Sequence, residues 1–152
     1  MDIEKITHTL KKFKDDTSGI QGVVIVQENA MIITETLIGN WDYDVAKIIA
    51  GVMDYLPKRI CNKLEWDPAP NICVRSSKYG YIMSVPCGSH KFLLVKASSS
   101  ISQGLLESEI AEIIDDIKTY INGKSSSNNG ETITDNEDNE DDDDDDQELF
   151  GR

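Results

Sequence analysis

Two stretches of this chain are apolar without alternation, Gly22-Val23-Val24-Ile25-Val26 and Phe92-Leu93-Leu94-Val95. A strand with one wet face alternates apolar and polar residues, so a continuous run needs cover on both faces. Two such strands belong side by side at the centre of a sheet, with helices above and below. The remaining sequence supplies those parts in order. Residues 2–16 predict a helix, because Ile3, Ile6, Leu10 and Phe13 share one narrow stripe. Thr17-Ser18-Gly19 stops it, Gly19 being suited to the left-handed position. After the first run, Glu28-Asn29-Ala30 reads as a turn and residues 31–37 as the returning strand of a hairpin. With no Asn-Gly or Asp-Gly there, a longer or less regular connection is expected.

Gly39-Asn40 breaks the chain, and Asn40 or Asp42 can cap the helix that follows. In that helix Val45, Ile48, Ile49, Val52, Met53 and Leu56, with Ala46 and Ala50 alongside, cover about half of the circumference, against the ~100° that one buried surface requires. The excess calls for a second surface, in the chain's own core or on a partner. Pro57 removes a backbone donor, so a kink or restart is expected there. Ile60, Cys61 and Leu64 continue an apolar face beyond it, and two prolines mark 66–70 as a loop. Strands at 72–75, 79–85 and 91–97 follow. A last helix carries Leu106, Ile110, Ile113, Ile114, Ile117 and Ile121, with Ser102 as N-cap and Asn122-Gly123 as its stop. The order is αββαβββα. Setting the two most apolar strands together gives an α/β fold of the α+β type. It is a five-stranded antiparallel sheet of order 2-1-5-4-3 with helices on both faces. The second and third strands are its edges, and an open edge invites pairing with another chain.

Charge divides the chain into a domain, residues 1–123, and an acidic tail, residues 124–152. From Ser125 onward twelve acids face the single base Arg152, which accounts for −11 of the formal −13 and leaves −2 for residues 1–124. The only large apolar residues of the tail are Ile133, Leu149 and Phe150. Such a composition predicts disorder. Three roles stay open for it: a solubilising bristle, a lure for a basic partner, or a screen over Lys5, Lys11, Lys12 and Lys14. A nearly neutral domain cannot neutralise many phosphates, so no nucleic-acid partner is expected. Cys61, Cys73 and Cys87 show no C-x-x-C spacing, and the N-terminus lacks an apolar signal region. No run approaches the ~20 apolar residues of a transmembrane segment. The expectation is a cytoplasmic protein with reduced thiols.

Chemistry is sparse. Cys87 and His90 could form a thiol–base pair, but they share one tight turn, where such partners normally come from separate elements. Gly123-Lys124-Ser125 resembles the end of a phosphate-binding loop, yet Lys118 stands where the motif needs glycine. The Asp-rich tail lacks the glycine of a calcium loop. Asp115 and Asp116 are neighbours on a helix and do not face one another. No catalytic residue, metal site or cofactor is therefore expected, and a binding module is favoured over an enzyme.

In this setting the residues resemble the Roadblock family, which includes dynein light chains, scaffold subunits near small GTPases and bacterial gliding-motility GTPase-activating proteins. The resemblance spans about Ile3 to Ile121. It rests on Gly19-Ile20-Gln21-Gly22-Val23-Val24-Ile25-Val26, Met31-Ile32-Ile33-Thr34, the Ala46/Ile49/Ala50 helix, Phe92-Leu93-Leu94-Val95 and Gly104-Leu105. Asn29-Ala30, Pro57 and the acidic tail depart from the family's pattern. The resemblance implies a homodimer, or a heterodimer with a Roadblock-like paralogue, built by the central helix and the third strand and facing a small Ras-like GTPase. The candidate dimer or partner interface is Val45, Ala46, Ile49, Ala50, Val52, Met53, Leu56, Ile72 and Val74; the alternative is that the helix residues are all core. Neither Arg59 nor Arg75 need act as an arginine finger, since such regulators reorganise the GTPase's own residues. The implied function is a dimeric, non-catalytic GTPase regulator or scaffold. A structural adaptor of a motor or membrane-associated complex is the alternative.

Overall fold

The two apolar runs pair directly. In the computed structural model of the protein, which describes residues 1–67 and 70–123, strand β1 (Ile20–Gln27) lies antiparallel to β6 (Lys91–Ala97). Val23 stands opposite Val95, Val24 opposite Leu94, Ile25 opposite Leu93 and Val26 opposite Phe92. Val23 to Val26 and Leu93 to Val95 are fully buried. Each such side chain contributes about 1.5–3 kcal/mol relative to an exposed one.

β6 continues to β5 (Gly80–Gly88), and β5 to the edge strand β4 (Ile72–Ser76). On the other side β1 pairs with two short segments, β2 (Met31–Ile32) and β3 (Ile38–Gly39). The sheet has six strands, ordered β2-β1-β6-β5-β4 with β3 also on β1. The expected order of elements is present, but the expected second strand is split. Five residues, 33–37, stand opposite only Val24 and Ile25, and Thr34–Thr36 forms a 3-10 turn. The cause is Thr36, which is fully buried. Its hydroxyl accepts the Ile25 N–H at 2.8 Å and donates to the Ile33 carbonyl at 2.6 Å. A side chain thus takes the place of one rung of the ladder.

Helix α1 (Ile3–Asp16) is capped by Asp2, whose carboxylate accepts the Lys5 N–H at 3.1 Å. Helix α3 (Gln103–Asn122) starts under the Ser102 hydroxyl, which accepts from Leu105 N at 3.2 Å. The Asp2 N–H donates to the Tyr120 carbonyl and ties the two helices together. Both cover one sheet face. There Ile6, Leu10, Leu106, Ile110 and Ile117 meet Val23, Ile25, Met83, Leu93 and Val95. The opposite face carries one helix, α2 (Tyr43–Leu64), capped by Asp42 through Val45 N at 3.0 Å. α2 does not restart at Pro57 but runs on to Leu64, ending at Glu65 in the left-handed conformation. The ring of Pro57 is buried, and that packing offsets the lost hydrogen bond. Part of the expected 66–70 loop and the whole expected 124–152 tail lie outside the described residues.

A close approach fixes the entry to α2. Trp41 lies across β1, its indole N–H donating to the Val23 carbonyl at 3.2 Å while Lys96 sits over the ring at 5.7 Å. A Cβ on Gly22 would come within 2.6 Å of the Trp41 Nε1, so only glycine leaves room for the indole. Glycine to alanine should change stability with opposite signs at two other positions. Gly80 has φ +123° and its Cβ would collide with the Ala97 carbonyl, so Gly80→Ala should cost roughly 2 kcal/mol or more. Gly51, inside α2 with open space around it, should gain about 0.5–1 kcal/mol as alanine. Urea denaturation of the two variants checks both signs.

Candidate functional site

α2 carries two apolar stripes instead of one. Ala46, Ala50, Met53 and Pro57 recur at the spacing of a single face and are buried. They rest on Val24, Val26, Phe92 and Leu94, the two alanines letting the helix backbone lie close to the sheet. On the neighbouring arc stand Val45, Ile48, Val52, Tyr55 and Leu56, all exposed, Ile48 to 68% and Val52 to 56%. Ile49 is half-buried between the stripes and packs against the smaller core cluster. Of the expected interface residues, Ala46, Ala50 and Met53 are therefore core, closed off by their own sheet. Val45, Val52 and Leu56 are open to a partner.

The second part of the expected interface is the edge strand. β4 pairs only with β5, so its outer backbone groups have no strand partner among the described residues. Val74 is 55% exposed, and Ile72 is half-buried against the smaller cluster. Val74 stands opposite Ile82 and Ile72 opposite Ser84, which places both on the α2 side of the sheet. One helix covers this face where two cover the other, and the β4 end is left partly bare. Ile48 and Tyr55 belong to the exposed stripe but lie outside the expected interface set. The signal for both is position: Ile48 lies four residues before Val52 and Tyr55 three after it. The Arg59 guanidinium lies over the Tyr55 ring at 6.0 Å.

The Cys87–His90 pair does not assemble. Cys87 belongs to the cluster beneath α1 and α3, whereas His90 lines a groove on the α2 side. Desolvation pushes the Cys87 thiol up to about 12, against minor opposing effects of Lys91 and Lys118. At neutral pH it stays a thiol, which is the inert form. Among the described residues no three His, Cys, Asp or Glu side chains converge as metal ligands would. No helix among them is long and apolar enough to cross a membrane.

No family model and no curated protein matches the sequence, but solved structures match the fold. MglB of Myxococcus xanthus superposes with a TM-score of 0.69 at 16% identity, over 82% of this chain and 100% of that one. The gliding protein MglB of Thermus thermophilus gives 0.63 at 10% identity, over 77% and 88%. A Roadblock/LC7 domain from Streptomyces avermitilis gives 0.61 at 15% identity, over 76% and 96%. The chain has the Roadblock/LC7 fold, as its sequence resemblance implied. A thiol-labelling experiment checks the cysteine assignment: at pH 8 a maleimide should modify Cys61 in the folded protein and reach Cys87 only after unfolding.

Proposed function

We propose that this Roadblock-fold chain is a dimeric, non-catalytic regulator or scaffold that binds a small Ras-like GTPase in the cytoplasm. The observation that carries the proposal is the apolar stripe of α2, Val45, Ile48, Val52, Tyr55 and Leu56, on the same side of the sheet as Val74 on the open edge of β4. A two-fold axis beside β4 would join the two sheets through their free backbone groups and bring two such stripes together. The same patch on both subunits makes the contact self-complementary, so a homodimer is the simplest assembly. Likeness to the two MglB structures and the Roadblock-like sequence support a small GTPase as the further partner. The buried, protonated Cys87 and its separation from His90 favour a role without chemistry of its own.

Sedimentation equilibrium should return twice the 17.0 kDa chain mass. Ile48→Asp with Val52→Asp should return the monomer. Both side chains are already exposed, so the thermal midpoint should move little. A monomeric wild-type chain would overturn the dimer. For the partner, the immobilised chain is offered the small GTPases of the same organism in GTP- and GDP-loaded form, and capture of one of them is expected. Failure with all of them, or recovery of motor or scaffold subunits without a GTPase from the endogenous complex, would favour the adaptor.

A further inference from the structure

α3 ends at Asn122, and Gly123 follows it at φ +73°. An asparagine before a glycine carries a reaction of its own. The Gly123 nitrogen can attack the Asn122 Cγ, because glycine has no Cβ to stand in the way. A C–N bond forms, the bond from Cγ to the carboxamide nitrogen breaks, and ammonia leaves with the proton of the attacking N–H. Water then opens the five-membered succinimide at either carbonyl, leaving aspartate or isoaspartate at position 122. No other reactant is needed.

The fold opposes this ring in three ways. Closure requires the Asn122 Cβ and the Gly123 nitrogen to come into line, and a helical ψ holds them apart. The last turn is anchored as well: Ile121 is 5% exposed in the core, and the Tyr120 carbonyl accepts the Asp2 N–H at 2.9 Å. The carboxamide itself is also held, its Oδ1 accepting the Ser89 hydroxyl at 3.0 Å. Ser89 and His90 form the two-residue turn between β5 and β6, closed by the pairing of Gly88 with Lys91. The Lys91 ammonium donates to the Ser89 carbonyl at 3.3 Å and steadies that turn. Ser89 stands at φ +53°, a left-handed conformation that glycine adopts without the steric cost serine bears. What serine adds at this position is the hydroxyl on Asn122.

We propose that Asn122 is a site of spontaneous deamidation and that the Ser89 hydroxyl is a clamp that delays it. The product weakens this corner of the fold. A carboxylate at the C-terminal end of α3 meets the negative pole of the helix, and isoaspartate adds a methylene to the main chain just ahead of the acidic segment 124–152. The full-length chain is held at pH 8 and physiological temperature and sampled over days by tryptic mapping. Asn122 is the only asparagine of fragment 119–124, so the mass gain of an amide-to-acid change there reports this site alone. In urea the rate should exceed that of the folded chain by roughly tenfold or more, because the last turn is open. Ser89→Gly keeps the left-handed turn and removes the hydroxyl. It should speed the folded reaction about three- to tenfold, the factor of one net hydrogen bond, and leave the rate in urea unchanged. Gly123→Ala, which puts a Cβ in the path of attack, should suppress the product in both states. Cys87, buried in the strand that leads into the turn, should stay closed to maleimide in folded Ser89→Gly. No product in urea, a folded rate equal to that in urea, or a folded rate of Ser89→Gly no higher than the wild type's would overturn the proposal. Acceleration accompanied by Cys87 labelling would equally count against the clamp, since general loosening would then explain it.

Discussion

The pairing of β1 with β6 governs the rest of this structure. Two strands with no polar face, locked together from Val23–Val95 to Val26–Phe92, cannot sit at an edge or under solvent. Both sheet faces must therefore be roofed, and the chain has three helices with which to do it. α1 and α3 roof one face and tie their ends together through Asp2 and Tyr120. α2 alone is left for the other. It can shelter Val24, Val26, Phe92 and Leu94, but it leaves the β4 end partly bare.

From this asymmetry follows the chemistry of the surface. The face roofed by two helices has most of its apolar groups in the core, with the Cys87 thiol sealed among them. The half-roofed face holds the exposed outer stripe of α2 and the open edge of β4. A partner bound on this side, as proposed, would complete a layer that the chain leaves unfinished. The neighbouring MglB and Roadblock/LC7 structures share the architecture at identities of 10–16%. The fold is thus kept while most of the side chains differ.

Much of this was legible because hydrophobic period and strand adjacency are local properties. The helices, the cap at Ser102 and the neighbouring central strands could be read from spacing alone, whereas the choice of Asp42 over Asn40 as the cap of α2 needed the structure. The split of the returning strand could not, since it depends on the Thr36 hydroxyl reaching Ile25 across the sheet, a contact that no local pattern encodes. Pro57 misled for a similar reason: its cost is local and visible, whereas the burial that offsets it is tertiary. The width of the α2 stripe was correctly read as excess, but its phase was not. Ala46 and Ala50 look weaker than Val45 and Ile48 on any hydrophobicity scale, yet small size is what lets a helix approach a sheet. The larger residues are the ones left outside.

The β1–β6 ladder also sets a schedule for biosynthesis. Residues 20–27 leave the ribosome about seventy residues before their partner at 91–97, an interval of roughly 4–14 s at ~5–20 residues per second. During it β1 can form its hairpin with β2 and β3, which shields one edge and leaves the other open. Val23-Val24-Ile25-Val26 is β-branched, uncharged and free of proline, the kind of segment that joins identical segments on neighbouring chains. The strand that organises the finished fold is thus its most vulnerable part while the chain is being made. Changes that slow translation between Gln27 and Lys91 should lower the soluble yield without altering the stability of the protein that does fold.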